Sequence, residues 1–240
     1  MIDAGQILYE DNHLLAINKR PGQICQGDKS GDLPLTALVK EFIRQRDNKP
    51  GQVYCGLIHR IDRPVSGVVL LAKTSKALTR MIDKVRTRDF EKHYWAVVRT
   101  APPSPEDVLE NWLVKREKIN KSYCVSNGQP DAKLARLSYR DIAVSEGGYH
   151  LLDVNLHTGR HHQIRCQLAN IGCPIKGDLK YGAPRPNPDG SISLHARSVT
   201  FQHPVRDELV TITAPNPEIE QMFLIQNHQS ISVHNGSQSK

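Results

Sequence analysis

The sequence lacks the features that mark membrane, secreted and zinc-binding proteins. It has no run of about 18 apolar residues and no basic N-terminal stretch followed by an apolar one, so neither a membrane span nor a signal peptide is expected. Its five cysteines include no CxxC pair and no Cys/His spacing typical of a zinc site. We therefore expect reduced thiols and a cytoplasmic protein.

Common catalytic motifs are missing as well. The chain contains no GxGxxG pattern, no Walker A loop and no HExxH. His157, His161 and His162 lie close together, but Gly159 and a predicted strand-to-helix turn separate the first from the other two. No nearby carboxylate or cysteine completes a ligand set. We predict no metal site.

What the sequence has is an excess of positive charge. The net charge is +7 and the pI is about 9.2. Residues 60–99 hold ten basic and four acidic residues, so this window carries most of the excess. A polyanion such as RNA or DNA is the simplest partner for it. A basic surface that only keeps the protein soluble is the alternative, and net charge does not decide between them.

Apolar periodicity predicts a mixture of strands and helices over most of the chain. Two short runs around Asp11 predict a hairpin, and Leu35–Arg46 is an amphipathic helix. Ser75 is a good N-cap for a second helix, and Pro217–Ile225 is a short last one. An antiparallel meander is predicted from strand-like segments at 108–116, 120–126, 133–144 and 149–157.

The C-terminal 15 residues differ in composition from the rest. Residues 226–240 are rich in Gln, Ser, Asn and His and show no periodicity, so they are predicted to form a disordered tail. Residues 1–225 are predicted to form one domain.

One charged loop between two predicted strands is a candidate reactive site. Residues His59–Gly67 read HRIDRPVSG, in which Asp62 lies between Arg60 and Arg63. Pro64 and Gly67 favour a sharp turn. A carboxylate flanked by two guanidinium groups is a candidate reactive group, and a surface turn with salt bridges is the alternative.

Two later segments carry further candidates. The predicted strand Glu91–Arg99 places Tyr94 and Trp95 on opposite faces, so we expect one in the core and the other presented. Residues Thr158–Arg165 lead into a helix that ends at Gly172. Its N-terminal end is rich in Arg, His and Gln, which makes it a natural anion site.

Five segments, in order over about residues 7–215, resemble the motifs of the RluA family of RNA pseudouridine synthases. The charged loop and the strand after it, HRIDRPVSGVVLLAK, resemble the family pattern H-R-L-D-x-x-T-S-G-x-x-x-x-A-K. The strand segment KHYWA resembles K-x-Y-x-A. The block TGRHHQIR with GCPIKGD resembles T-G-R-x-H-Q-I-R and G-x-P-I-x-G-D. The segment LYEDNHLLAINKRPG, residues 8–22, resembles the opening motif of the family. The segment LHA, residues 194–196, together with the later HP at 203–204, resembles its closing motif.

The resemblance implies a fold and an activity. The fold is α+β, with a mixed, largely antiparallel central sheet, flanking helices and an active-site cleft across the sheet. The activity is isomerisation of uridine to pseudouridine in structured RNA, with tRNA slightly favoured over rRNA. It needs no cofactor and no metal. We expect a monomer of the short branch without an S4-like domain, with no membrane contact and no obligatory protein partner.

The resemblance also implies roles for single residues. Asp62 matches the catalytic Asp, Arg165 the Arg that pairs with it, and Tyr94 the Tyr that stacks on the uracil. Attack of Asp62 on the base, attack on the sugar, and abstraction of the 2′ proton all stay open. The residues expected to contact RNA are Arg60, Arg63 and Lys92.

Some positions depart from the family pattern. Ile61 replaces a Leu conservatively, Val65 replaces a Thr and so lacks its hydroxyl, and His161 replaces a common Thr. Two rival functions stay open. One is an RNA-binding or RNA-folding protein whose catalytic site is idle. The other is a glycosidase, which would need a second carboxylate, and Glu10 and Asp178 are the candidates.

Overall fold

The computed structural model describes residues 1–225 and 231–235. In chain order, the strands are β1 (Ile7–Glu10), β2 (Leu14–Lys19), β3 (Gly56–Leu57), β4 (Ser66–Ala72), β5 (Glu91–Val98), β6 (Glu106–Arg116), β7 (Lys121–Val125), β8 (Lys133–Val144), β9 (His150–Leu156), β10 (Leu194–Gln202), β11 (Glu208–Thr213) and β12 (Ile231–Asn235). The helices are α1 (Leu35–Arg46), α2 (Ser75–Thr87), α3 (Gln163–Asn170) and α4 (Pro217–Met222). Within these described residues, no helix has the length and apolar character that crossing a membrane requires.

The chain forms two compact units. Unit 1 contains Met1–Phe90, Ala196–Pro215 and β12, and unit 2 contains Glu91–His195 together with the described part of 216–227. The single domain predicted over residues 1–225 stays a prediction.

Unit 1 is built on antiparallel strands with an apolar centre. β2 pairs with β1 and with β4, β3 pairs with the end of β4, and β11 pairs with β10. β2 and β4 are almost fully buried, which fits their near-continuous apolar sequences. α1 buries Leu35, Val39 and Ile43 along one face. The predicted hairpin and the predicted helix at Leu35–Arg46 are both confirmed.

The N-terminus of α2 lies one residue from the predicted position. Thr74 is the N-cap, because its backbone is extended and its hydroxyl accepts a hydrogen bond from the Ala77 N–H at 3.2 Å. Ser75 is the first helical residue instead. The helix ends at Thr87, and its C-cap residue Arg88 has a left-handed backbone with φ of 65°.

Unit 2 contains an antiparallel sheet with the strand order β5-β9-β8-β6-β7. The predicted meander is wrong in one respect, because β8 pairs with β6 and β7 lies at the edge. β6 has 11 residues and β8 has 12, whereas β7 has only five. A pair formed by the long strands β6 and β8 satisfies the hydrogen bonds of more backbone N–H and C=O groups than a pair of either strand with the short β7. The predicted α+β class with a largely antiparallel sheet is confirmed.

Both aromatic residues at the centre of β5 are buried. Tyr94 is 6% exposed and Trp95 is 7% exposed, so neither ring lies on the open surface, and the expectation that one of them is presented to a site stays a prediction. Trp95 packs with Ile219 and Phe223, from α4 and the residue that follows it. The sequence pattern did not reveal that a C-terminal helix covers this face of the sheet.

The C-terminal strand β12 lies within the predicted disordered tail. It pairs antiparallel with β11, from Ile212 opposite Ile231 to Glu208 opposite Asn235. The prediction is therefore wrong for residues 231–235, where an otherwise polar segment completes hydrogen bonds along the β11 edge. The remainder of the predicted tail, 226–230 and 236–240, lies outside the described residues.

Candidate active site

The loop that carries Asp62 connects β3 to β4 in unit 1 and is held through its backbone. The Val65 N–H donates to the Asp62 carbonyl at 3.1 Å and closes a turn. The Gly22 N–H donates to the Arg63 carbonyl at 2.9 Å. Asp62 itself is half-buried. Its carboxylate therefore extends from a turn whose backbone is held by a hydrogen bond within the loop and by another from Gly22.

A buried lysine lies beneath this loop. The Lys19 ammonium donates to the carbonyls of Arg20, Gln23 and Arg63 at 3.0, 2.9 and 3.1 Å, and the residue is 0% exposed. Burial lowers its pKa to about 8, although the nearby Asp62 acts in the opposite direction. Sequence analysis gave Lys19 no role. The available signal was a lysine at the end of a predicted strand whose first four residues, 14–17, are apolar.

The two departures from the family pattern in this loop are both buried. Val65 is 2% exposed, and its backbone N–H rather than a side-chain hydroxyl closes the turn. Ile61 is also buried, and its carbonyl accepts a hydrogen bond from the Cys25 thiol at 3.5 Å. The turn therefore keeps its shape without the hydroxyl of a Thr at position 65.

The cations beside Asp62 lie on the surface. Arg60 is exposed, and Arg63 pairs with Asp32 at 2.5 Å and lies 4.0 Å from Asp28. Both carboxylates are about half exposed, and exposed ion pairs of this kind contribute little. Arg63 can therefore exchange these partners for a phosphate. The predicted RNA contacts of both residues stay predictions.

Part of the positive charge in the window 60–99 is neutralised by ion pairs. Glu10 forms an ion pair with Lys73 at 2.7 Å. Two further ion pairs lie on α2 or just after it: Lys84 with Asp89 at 2.9 Å and Arg86 with Asp83 at 3.1 Å. Asp83 and Asp89 are already counted in the net charge of the window, whereas Glu10 lies outside it, so of these three acids only Glu10 lowers the charge of the window further.

His59 has a structural position. Its Nε2 accepts a hydrogen bond from the Leu70 N–H at 3.1 Å, and its ring lies 5.3 Å from that of Phe90. Accepting at Nε2 places the proton of a neutral imidazole on Nδ1. The His59 side chain thus connects the start of the loop to β4 through this hydrogen bond.

Arg165 is buried in the first turn of α3 in unit 2. Its Nε and one terminal nitrogen donate to the two oxygens of Asp178 at 2.6 and 2.9 Å. Arg165 is 5% exposed and Asp178 is 1% exposed, and the guanidinium lies 5.1 Å from the centre of the Tyr181 ring. A bidentate pair fixes both the position and the plane of a guanidinium. Sequence analysis did not find this partner, and the only signal was the GCPIKGD segment, which ends at Asp178.

The three matching residues lie on defined elements. Asp62 belongs to unit 1, whereas Tyr94 on β5 and Arg165 on α3 belong to unit 2. The expected pairing of Asp62 with Arg165, the stacking role of Tyr94 and the cleft across the sheet stay predictions.

The turn before α3 is tied to β8 by a buried glutamine. Gln163 accepts from the Thr158 hydroxyl at 2.7 Å and from the Arg160 N–H at 3.0 Å, and it donates to the Arg136 carbonyl at 3.1 Å. The Arg136 N–H in turn donates to the Thr158 hydroxyl at 2.9 Å. This network sets where α3, and with it Arg165, begins.

Lys92 lies beside this same turn. Its ammonium is 3.7 Å from the position that a Cβ would occupy on Gly159, and burial lowers its pKa. The predicted RNA contact of Lys92 stays a prediction, and the half-buried position restricts it to a phosphate that reaches the Gly159 turn.

The histidines near α3 serve as hydrogen-bonding groups. The helix begins at Gln163, so both His161 and His162 precede it. His161 lies 2.9 Å from the Ser122 hydroxyl, and His162 Nδ1 lies 3.1 Å from the Tyr181 hydroxyl. Burial lowers the pKa of His162 to about 2. In the described part of the chain, no group of three His, Cys, Asp or Glu side chains could hold a metal ion.

The carboxylates that a glycosidase would need are already engaged. Glu10 binds Arg46 and Lys73, and the hydrogen bond from Arg46 is the main cause that lowers its pKa to about 2. Asp178 binds Arg165. A glycosidase acid needs a raised pKa, so Glu10 does not fit this role, and the two-carboxylate alternative is not favoured.

Comparison with known proteins supports the assignment of the motifs. The family model described as RNA pseudouridylate synthase matches residues 13–170, a range that contains Asp62, Tyr94 and Arg165. The chain is also similar in structure to human RNA pseudouridylate synthase domain containing 4, with a TM-score of 0.74, 24% identity and 90% coverage of each chain. This likeness shows the fold.

Two curated relatives differ in the RNA that their names specify. Ribosomal large subunit pseudouridine synthase D of Xanthomonas campestris is 30% identical over 225 residues, which cover 88% of this chain and 66% of the relative. The tRNA pseudouridine synthase C of Haemophilus influenzae is 29% identical over 238 residues, which cover 92% of this chain and 97% of the relative. The chain thus spans 66% of the length of the first relative and nearly all of the second.

Proposed function

Because the chain belongs to the RNA pseudouridylate synthase family, we propose that it is an isomerase that converts uridine to pseudouridine in structured RNA. The observation that carries this proposal is the family match over residues 13–170, which includes Asp62, Tyr94 and Arg165. The local geometry supports it, since the Asp62 turn and the Arg165 side chain are each fixed by several hydrogen bonds.

Asp62 supplies the carboxylate of the reaction. Pseudouridine formation breaks the N1–C1′ bond of uridine, turns the base and joins C5 to C1′, so no net oxidation, metal or cofactor is needed. The carboxylate acts at the sugar–base junction, and the target nucleotide leaves its stack to reach it. The backbone turn that holds Asp62 keeps the carboxylate in place while the base turns.

Arg165 and Tyr94 complete the site. A guanidinium beside Asp62 favours the ionised carboxylate, and Asp178 holds that guanidinium in one plane. Tyr94 stacks on the uracil and assists proton transfer at C5.

Cations near the Asp62 loop hold the RNA backbone. Arg60 and Arg63 lie on the surface of unit 1, and Lys92 lies beside the Gly159 turn of unit 2. We propose tRNA as the first substrate to test, because the Haemophilus relative that matches along almost its whole length is named for tRNA. The protein acts in the cytoplasm, as a monomer and without an obligatory protein partner.

The test is Asp62→Asn with tRNA and rRNA transcripts that carry tritium at C5 of uridine. The wild-type protein releases tritium as pseudouridine forms, and we expect D62N to reduce this rate by about a thousandfold or more while RNA affinity is kept. Glu41→Gln, which changes an exposed carboxylate on α1 of the same unit, should keep the wild-type rate.

D62N and a deletion of the gene separate an enzyme from an RNA-binding protein with an idle site. If the protein only binds RNA, D62N complements a gene deletion as well as the wild type does, and no RNA position in total tRNA or rRNA changes between cells with and without the gene. Either result would overturn the proposal.

A further inference from the structure

Two cysteines of unit 2 have their sulfur atoms in contact. Cys124 lies on β7 and Cys166 lies on α3, and their Sγ atoms are 3.7 Å apart. Cys166 also donates to the Ser122 carbonyl at 3.3 Å. The remaining cysteines, Cys25, Cys55 and Cys173, are buried free thiols. The reaction proposed above uses none of the five.

The two thiols differ in their environments. Cys124 is half-buried, and its hydrogen-bonding contact with the Cys166 thiol lowers its pKa. Cys166 is buried, and both its contact with Cys124 and its burial raise its pKa. A thiol with a lowered pKa and partial access to solvent is the one that reacts with oxidants, and a neighbouring thiol then resolves the product.

We propose that Cys124 and Cys166 form an oxidisable dithiol, which reacts with hydroperoxides and closes to a disulfide that joins β7 to α3. The Cys124 thiolate attacks the terminal peroxide oxygen, which breaks the O–O bond, gives a sulfenic acid and releases water from hydrogen peroxide. The Cys166 sulfur then attacks the Cys124 sulfur and expels hydroxide, which leaves as water with the Cys166 proton. Two thiols lose two electrons in total, and one peroxide is reduced to two waters.

The position of Cys166 connects this chemistry to the candidate active site, an argument that rests on the proposed function. Closure brings the sulfur atoms from 3.7 Å to about 2.05 Å, so the Cys124 and Cys166 side chains or their backbones must shift. Cys166 directly follows Arg165, whose two bonds to Asp178 are 2.6 and 2.9 Å long. We therefore expect the disulfide to displace Arg165 and to slow pseudouridine formation severalfold.

The experiment treats the full chain with one equivalent of hydrogen peroxide and then alkylates the remaining thiols for peptide mass mapping. The wild type should lose two alkylatable thiols and give one cross-linked peptide pair, Cys124 with Cys166, which dithiothreitol reverses. Cys124→Ser should give no cross-link. Cys166→Ser and Cys166→Ala should stop at a sulfenic acid on Cys124, which a 1,3-dione traps. Cys173→Ser, the matched control, should behave as the wild type.

Two results would overturn the dithiol. One is the absence of the Cys124–Cys166 peptide from the oxidised wild type, and the other is the absence of a trapped sulfenic acid at Cys124 in both Cys166 variants. A disulfide that forms without slowing the wild type would remove its link to the active site. An untreated wild type without activity on any RNA would instead count against the proposed function, and the peptide map does not depend on that activity.

Discussion

Lys19 connects the Asp62 turn to the segment that follows β2. Its ammonium donates to three backbone carbonyls, and one of them belongs to Arg63 in that turn. No solvent reaches the side chain. A buried charge of this kind is tolerated because each of its protons has an acceptor. The turn and the lysine therefore stabilise each other.

Replacing Lys19 by Met removes these donors while it keeps the volume of the side chain. Three carbonyls lose their buried partner, and we expect the free energy of unfolding to fall by about 3 kcal/mol. Lys40→Met, which alters an exposed lysine on α1, should change it by less than about 0.5 kcal/mol. Urea unfolding of the three proteins at pH 7 measures this. A K19M protein as stable as the wild type would show that the carbonyls do not need the ammonium.

The lowered pKa of Lys19 also predicts a pH dependence. Because its pKa falls from 10.5 to about 8 on folding, the unfolded chain binds more protons than the folded one between these two values. The free energy of unfolding therefore rises with pH across this window, by about 3 kcal/mol in total. The rise appears as a growing difference between the wild type and K19M, which cannot titrate at this position. A difference that stays flat from pH 7.5 to 10.5 would contradict it.

At the residue scale, the order of the motifs predicts the candidate reactive groups but not the side chains that hold those groups in place. Asp62 and Arg165 lie in segments whose residue types and spacing are distinctive. Lys19 and Asp178 act through partners that are 44 and 13 positions away in the chain. Only the folded chain shows that these side chains meet. Asp178 belongs to the GCPIKGD segment, but the only role that the sequence suggests for it is that of a second carboxylate in the glycosidase alternative.

At the scale of secondary structure, local periodicity predicts the elements better than their pairing. The bounds of α1 match the prediction because one apolar face recurs at helical spacing. The pairing of β6 with β8, by contrast, depends on strand length and on long-range contacts that local sequence does not contain. The burial of Trp95 and the strand β12 were missed for the same reason, since each depends on a distant partner.

Gly67, near the start of β4, lies so close to β10 that there is no room for a side chain. Its φ is +114°, and a Cβ there would lie 2.3 Å from the Ala196 carbonyl oxygen and 2.6 Å from the Ala196 nitrogen on β10. Both neighbours are backbone atoms, which cannot rotate away. We expect Gly67→Ala to lower the free energy of unfolding by about 4 kcal/mol or more, as measured by urea unfolding.

The matched control for this change is Gly128→Ala in the connection between β7 and β8. Gly128 also has a positive φ, +89°, but a Cβ there meets nothing within 4 Å. Only the backbone strain is added, so we expect a loss of about 1 kcal/mol. Equal losses in the two variants would mean that the close approach of β10 is not what requires glycine at position 67.

For the molecule as a whole, the net charge of +7 is less informative than its distribution. Several cations of residues 60–99 are held in ion pairs with Glu10, Asp83 and Asp89. Arg60 is exposed beside Asp62, which makes it the cation of this window that is best placed to meet an RNA phosphate near the reacting nucleotide. The contribution of one such contact can be read from the salt dependence of binding.

We expect Arg60→Gln to weaken RNA binding at every salt concentration and to flatten its salt dependence. Each phosphate contact that is lost reduces the slope of log K against log salt by about 0.7 to 0.9, because one fewer condensed cation is released. The binding constants are measured by fluorescence anisotropy with a labelled tRNA at salt concentrations from about 50 to 300 mM. Arg44→Gln, which removes an exposed cation on α1 that pairs with Glu41, should leave the slope unchanged. If R60Q and R44Q change the slope equally, only the total charge attracts the RNA, and Arg60 makes no specific contact beside Asp62.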